Sequence, residues 1–269
     1  MHAYIKNYLT TLQCSLEQAN KDLHLVARLQ ALHVAKYSFS SVNALQNLFL
    51  SNDPEQLFKR LITEQQGGYC FEHNKIFYLA LQALGFDVEI LIARVMLNGQ
   101  HDNPRSHRLT LLTLEGKKYL VDVGFGVSTP IVPLAIDQSG IVIDGLNKYC
   151  IVRDGNIITV HQQQPEEKFL YRVELAEFFE SDCEIAHFYS HQHPSAAFVN
   201  NLVVSRIVDG ERYLIRNHCF SYWHEAKSMH KEQAIESSEH LYQLLREVFL
   251  LNISLQSTQW LFTKMRSAL

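Results

Sequence analysis

The hydrophobic period of the chain changes at Gly85, and this change constrains the fold more than any other feature. Before Gly85 the apolar residues recur at helical spacing. "LHLVARLQALHVAKYSF" carries Leu25, Leu29, Leu32 and Ala35 on one face. Asp53 is an N-cap, with Pro54 at the first helical position and Gln56 three residues after the cap. That helix is predicted to run to about Gln65 and to stop at Gly67 and Gly68. The next helix starts near Cys70, carries Ile76, Phe77, Ala80, Leu81 and Leu84, and ends at Gly85 as a C′ glycine. Beyond it the pattern alternates. "DVEILIARVML" reads as a strand, "NGQHDNPRS" as a polar loop and "HRLTLLTLEGKKYLVDVGFG" as a hairpin turning at Glu115-Gly116. "GIVIDGLNKYCIVRDGNIITVHQ" holds further short strands. "NLVVSRIVDGERYLIRNHCFSYWH" reads as a strand pair turning at Asp209-Gly210. "SSEHLYQLLREVFLL" is an amphipathic helix capped by Ser237 or Ser238. The order is helices, then β, then α/β, which is an α+β chain.

Composition excludes several function classes. Lys+Arg 24 against Asp+Glu 28 leaves a formal charge of -4, so neither nucleic acid nor an anionic membrane is an expected partner. The start, "MHAYIKNYLTTLQCSLEQAN", has no apolar run of signal-peptide type, and no stretch approaches the roughly 18 apolar residues of a membrane span. The five cysteines, Cys14, Cys70, Cys150, Cys183 and Cys219, are odd in number and scattered. Free thiols in a reducing compartment, hence the cytoplasm, are the expectation. Nothing in the sequence demands more than a monomer.

Within "QQGGYCFEHN" a cysteine follows two glycines and a tyrosine, at the first turn of a helix. Unpaired backbone N–H groups and the positive end of the helix dipole favour a thiolate there. The hairpin offers partners. With Leu114 opposite Lys117, counting back places Leu109 opposite Asp122. His107 shares a face with Leu109, so Asp122 projects beside His107 as its diagonal neighbour. A one-residue slip would separate them. A cysteine at a helix N-terminus with a histidine and an aspartate on one strand face forms a nucleophile–base–orienter set. Cys70 would be the nucleophile, His107 the base and Asp122 the orienter. The competing reading is a loop-edge histidine and an aspartate capping the turn before Gly124.

Other residues compete for a role. His73 lies on nearly the same helix face as Cys70, but its spacing aligns a proton transfer poorly, so a local hydrogen bond is expected for it. Gly124-Phe125-Gly126 is a lone Gly-x-Gly and weak as a phosphate signal. Cys183, His187, His191 and His193 lack the spacing that completes a zinc set, so no metal is expected.

"GGYCFEHN", "SHRLTLLTLEGKKYLVDVGFG" and "HPSAAFVNNLVVSR" together resemble the arylamine N-acetyltransferase family, from about Tyr4 to the 220s. The resemblance implies a Cys-His-Asp triad falling on Cys70, His107 and Asp122, in a cysteine-protease-like arrangement. It implies a helical domain over 1–86 carrying the nucleophile, a β-barrel over 87–190 carrying His and Asp, and an α/β lid over 191–269. It further implies ping-pong transfer. Acetyl-CoA acetylates the cysteine, CoA leaves, and an arylamine, hydrazine or N-hydroxyarylamine takes the acetyl group, with no metal or prosthetic group. Phe39, Tyr69, Phe125, Gly126 and Phe198 would border the acceptor pocket, core packing being the competing role for each aromatic.

The sequence departs from the family pattern at two places. Gln66 stands where the family has arginine, and Ser38-Phe39-Ser40-Ser41 stands where it has Pro-Phe-Glu-Asn. Both ends of one ion pair are gone together, which costs less than losing one. A neutral contact between Gln66 and Ser40 is the expected substitute. Two further readings stay open from sequence. One is a related thiol enzyme, such as an amide synthase with a larger acyl donor, a cysteine peptidase or a transglutaminase. The other is a binding protein on a decayed acetyltransferase scaffold.

Overall fold

The computed structural model describes residues 1–14, 20–145, 147–164, 167–224, 227 and 229–266. Residues 267–269 of the C-terminal "TQWLFTKMRSAL" lie outside them. The chain begins with helices α1 (Ala3–Thr11) and α2 (Leu23–Lys36), strand β1 (Phe39–Ser40), and helices α3 (Val42–Leu45), α4 (Pro54–Phe58) and α5 (Cys70–Ala83). Strands β2 (Asp87–Val95), β3 (Arg105–Leu114), β4 (Lys117–Val121), β5 (Leu134–Ala135), β6 (Gly140–Asp144), β7 (Asn147–Asp154), β8 (Ile157–Gln164) and β9 (Lys168–Glu174) follow. Helices α6 (Glu180–Gln192) and α7 (Ala197–Asn200) precede strands β10 (Val203–Val208), β11 (Glu211–Arg216), β12 (Cys219–His224) and β13 (Met229–Ala234). Helices α8 (Ser238–Gln243) and α9 (Leu255–Arg266) close the order.

These elements form two compact units, one of residues 1–33 and 70–187, the other of 34–69 and 188–269. In the first, eight antiparallel strands run in the order β5-β4-β3-β2-β9-β8-β7-β6. The end strands β5 and β6 lie against each other, so the sheet is barrel-like and nearly closed. Its interior is filled by Leu91, Leu109, Leu111, Ile151, Val160 and Tyr171, each from an alternating inward position. The β3–β4 register pairs Leu114 with Lys117 and Thr110 with Val121, as the sequence count requires. Glu115 and Gly116 both take positive φ, 52° and 76°, the two-residue turn that matches strand twist.

Helix α5 packs on β3. Every side chain from Cys70 to Phe77 is buried, so this helix is enclosed all round in its first two turns. Full burial of Phe71 or Phe77 contributes roughly 2 kcal/mol each. The enclosure traps a cation: Lys75 is paired with Glu180 at 3.0 Å. Glu180 also takes a bidentate bond from Arg108 of β3, at 2.9 and 2.7 Å. One carboxylate at the start of α6 therefore ties α5 to β3.

The second unit holds a five-stranded sheet in the order β1-β10-β11-β12-β13. Its core brings together Val42, Leu202, Val204, Ile215, Leu245 and Leu261. The pair expected around Asp209-Gly210 is present as β10 and β11, extended by β12 and β13 into a four-strand meander that meets β1 at its other edge. Asp53 caps α4 as expected, accepting the Gln56 N–H at 3.0 Å. The helix does not run unbroken to Gln65. It widens into a π turn over Lys59–Thr63, and Gln65 leaves it with φ of 53°. Ser237 is the cap of α8, accepting the His240 N–H at 3.1 Å. Among the described residues no helix is long and apolar enough to cross a membrane.

The Glu180 network has a pH signature. The Glu180 side chain is drawn toward the protonated form by burial, but Arg108 and Lys75 outweigh this and hold its pKa down at about 2. A depressed carboxylate stabilises the fold above the ordinary carboxylate range, and the gain is lost as pH falls through about 2. Glu180→Gln should cost roughly 2 kcal/mol in urea unfolding at neutral pH. That is less than for a fully enclosed pair, because solvent reaches Glu180. The variant should also lose less stability than wild type on acidification.

Candidate active site

Cys70 is the first residue of α5 and is 3% exposed. Its sulfur lies 3.5 Å from the Ser106 carbonyl oxygen and hydrogen-bonds the His107 imidazole. His107 Nε2 meets Asp122 Oδ2 at 2.7 Å, and both side chains are buried. With Nε2 committed to the carboxylate, Nδ1 is the ring nitrogen left for the thiol. Burial pulls the His107 pKa down. The Asp122 charge and hydrogen bond, with Cys70 adding to them, reverse this and raise it to about 10. The imidazolium is therefore favoured at neutral pH, and its attraction to Asp122 is lost only as pH rises through about 10.

Asp122 sits just past β4, where its carboxylate is fully occupied. Oδ1 accepts the Gly124 N–H at 2.8 Å and the Asn74 side-chain amide at 3.0 Å. Capping the turn before Gly124 and orienting His107, competing readings from sequence, are done by different oxygens of the same group. Asn74 also donates to the Arg108 carbonyl at 2.6 Å and accepts from the Val123 N–H at 3.0 Å. It thus pins the turn after β4 and strand β3 to the helix that carries Cys70. Gln30 of α2 donates to the backbone carbonyl of Asp122 at 3.0 Å. Asn74 and Gln30 were not singled out from sequence. Asn74 had one available signal, its position four residues after Cys70 on the same helix face; Gln30 had none.

The aromatic residues expected to border a pocket fall in two groups. Phe125 stands edge-on to His107, with ring centres 4.9 Å apart and planes at 89°. Gly126 follows it with φ of 70° and opens a short 3-10 turn. In the other unit Phe39 and Tyr69 both pack on Phe198, at 5.5 and 5.3 Å.

Several expectations are corrected. Gln66 and Ser40 do not bond: the Gln66 amide donates to Glu64 at 3.1 Å, while Ser40 Oγ accepts the Val42 N–H at 3.2 Å. Ser40 instead approaches the neighbouring glycine, where a Cβ on Gly67 would lie 2.7 Å from the Ser40 Cβ. His73 bonds to another helix. Its Nδ1 meets His33 Nε2 at 2.7 Å, and His33 Nδ1 meets the Tyr8 hydroxyl at 2.6 Å. Cys183 and His187 are buried on α6, His187 against Phe71. His191 accepts the Leu50 N–H at 3.2 Å, and His193 bonds Ser195 at 2.8 Å.

A buried thiol, an imidazole with one nitrogen free for it and a carboxylate holding the other nitrogen can perform nucleophilic acyl transfer. A barrel-like sheet with the thiol on a packed helix is one scaffold for that class. The comparisons with known proteins agree. A family model described as N-acetyltransferase matches residues 22–258. The arylamine N-acetyltransferase / N-hydroxyarylamine O-acetyltransferase of Salmonella typhimurium is 28% identical over 262 residues, 94% of this chain and 91% of that protein. The arylamine N-acetyltransferase of Mycolicibacterium smegmatis is 30% identical over 202 residues, 72% of this chain and 74% of that protein. The solved structure of an arylamine N-acetyltransferase from Salmonella typhimurium superposes with a TM-score of 0.90 at 25% identity, covering 98% of this chain and 99% of that one. The chain belongs to the N-acetyltransferase family and is an acyltransferase enzyme.

Gly124 shows how tightly the site is closed. A Cβ there would lie 2.8 Å from the Cys70 Cα and 2.8 Å from the Asn74 amide nitrogen. The Cys70 backbone cannot yield without moving the sulfur. Gly124→Ala should therefore lower the rate of acetyl transfer by roughly a hundredfold through misplacement of the reacting atoms. Its circular dichroism should stay that of wild type.

Proposed function

We propose that the chain is an arylamine N-acetyltransferase of the cytoplasm that works by a ping-pong route through an acetyl thioester on Cys70. In the first half-reaction the Cys70 sulfur attacks the carbonyl carbon of acetyl-CoA while His107 holds the thiol proton. The tetrahedral adduct collapses, the bond from carbon to the CoA sulfur breaks, and CoA leaves with the proton from the imidazolium. In the second, an arylamine, hydrazine or N-hydroxyarylamine attacks the thioester. His107 takes the proton lost by the attacking atom, and Cys70 leaves. Asp122 holds the imidazole in place and steadies the imidazolium.

The observation that carries this reading is the line from Cys70 through His107 to Asp122, buried along its length in a chain similar to arylamine N-acetyltransferases over most of its sequence. The five cysteines are all free, in keeping with a reducing cytoplasm. Phe125 beside His107 supplies an apolar wall suited to an aromatic acceptor. Gly126 would admit the acceptor next to it.

The test is intact-protein mass after incubation with acetyl-CoA and no acceptor. Wild type should gain one acetyl group and lose it when an arylamine or hydrazine is added, whereas Cys70→Ala should gain none. Folded wild type that gains nothing from acetyl-CoA, but is acylated by a longer acyl-CoA, would transfer the assignment to a related acyltransferase. No acylation from any donor would leave a decayed scaffold.

A further inference from the structure

The segment between β4 and β5 carries Phe125 and Gly126, and one buried side chain joins its two ends. Gln30 of α2 has no exposed surface. Its amide nitrogen donates to the Asp122 carbonyl at 3.0 Å, the Pro130 carbonyl at 2.6 Å and the Val132 carbonyl at 3.3 Å. Two N–H groups serve three acceptors, so one of them is shared. The Gln30 Oε1 has no hydrogen-bond partner among the described residues. A buried, unpaired oxygen is a cost to the fold. What the fold gains at this position is the donor end of the amide.

One nitrogen reaches both Asp122 and Pro130, so these residues lie side by side and 123–129 is closed into a loop. The feet of the loop are buried, whereas Phe125, Gly126 and Val127 at its tip are half-buried. Each foot has further ties. Asn74 accepts the Val123 N–H on one side. On the other, the Ile131 N–H donates to Asp144 at 2.9 Å and the Tyr149 hydroxyl to the Ser128 carbonyl at 3.2 Å. Among these bonds, those of Gln30 alone join one foot to the other. The Asp122 carboxylate keeps its own bonds to His107, Asn74 and Gly124 without Gln30. Loss of Gln30 therefore loosens the tip of the loop more than it disturbs the carboxylate.

We propose that Gln30 is a positioning residue for the acceptor half-reaction. Its amide clasps the loop at its base and so holds Phe125 beside the His107 ring, where an aromatic acceptor meets a fixed wall. This deepens the role given to Phe125 and rests on the ping-pong reading of the site.

The experiment uses Gln30→Met, which keeps the length of the side chain and removes both N–H groups. Single-turnover mass measurements separate the two half-reactions. Acetylation of Cys70 by acetyl-CoA should slow about twofold, whereas discharge of the acetyl group by an arylamine should slow about twentyfold, the loss lying in KM. Discharge by hydrazine itself, which has no ring to place, should slow only about twofold. Amide hydrogen exchange without substrate should quicken about tenfold in peptides from 123–129 and keep its wild-type rate in α5 and β3. Gln30→Asn, whose amide is one carbon short, takes the place of the methionine variant if that one does not fold. It should show the same split at about a quarter of the size. Equal slowing of acetylation and of arylamine discharge would overturn the proposal, as would equal slowing with arylamine and hydrazine. Unchanged exchange in 123–129 would overturn it too. The exchange measurement needs no acetyl transfer, so the clasp and the proposed reaction can fail separately.

Discussion

The carboxylate of Asp122 is the interaction on which the rest of the site depends. A charge buried at this depth costs several kcal/mol unless its lone pairs are filled. They are filled by the His107 ring, the Asn74 amide and the Gly124 backbone N–H. Those partners come from three places: strand β3, helix α5 and the turn after β4. Gln30 adds helix α2 through the Asp122 carbonyl. Satisfying one carboxylate therefore fixes where the nucleophile helix sits on the sheet, and that spacing brings Cys70 to the imidazole. The same carboxylate keeps the imidazole protonated in a dry setting that would otherwise neutralise it.

A second, half-exposed carboxylate repeats the device between α5 and β3. Glu180 bonds Lys75 of the nucleophile helix and Arg108, the residue next to His107. Asn74 and Lys75 are adjacent, as are His107 and Arg108. Each pair spends one residue on the triad or its support and the other on the Glu180 clamp. The helix and strand are thus locked by two sets of charge-assisted bonds, and small errors in either would be felt as a displaced sulfur.

The parts of this arrangement that were legible in the sequence are those set by local chemistry. The Glu115-Gly116 turn fixes the hairpin register, and the register places Asp122 beside His107 before any coordinates are known. Asp53 and Pro54 start α4, and Gly85 ends α5, for equally local reasons. What was not legible depends on chain segments far apart. The pairing of β2 with β9, which brings Tyr171 to His107, leaves no trace in a pattern of alternation. His73 bonds His33 across two helices, where helical spacing alone pointed to a local partner. The π turn after α4 has the same apolar spacing as an ordinary helix would, so the widening was invisible. At Gln66 and Ser40 charge reasoning rightly made joint loss of an ion pair tolerable, but it could not tell that each residue would find its own neighbour instead.

The most direct measurement of the central claim, that His107 and Asp122 activate Cys70, is the alkylation rate of each cysteine at neutral pH, read by peptide mapping. Cys150 and Cys219 are partly exposed, whereas Cys70 is 3% exposed, so exposure alone would make Cys70 slow. Activation predicts the reverse: Cys70 is labelled first with a small reagent, and its lead disappears in His107→Gln and shrinks in Asp122→Asn. A Cys70 that reacts no faster than Cys150 or Cys219, or whose rate is unchanged without His107, would contradict the account.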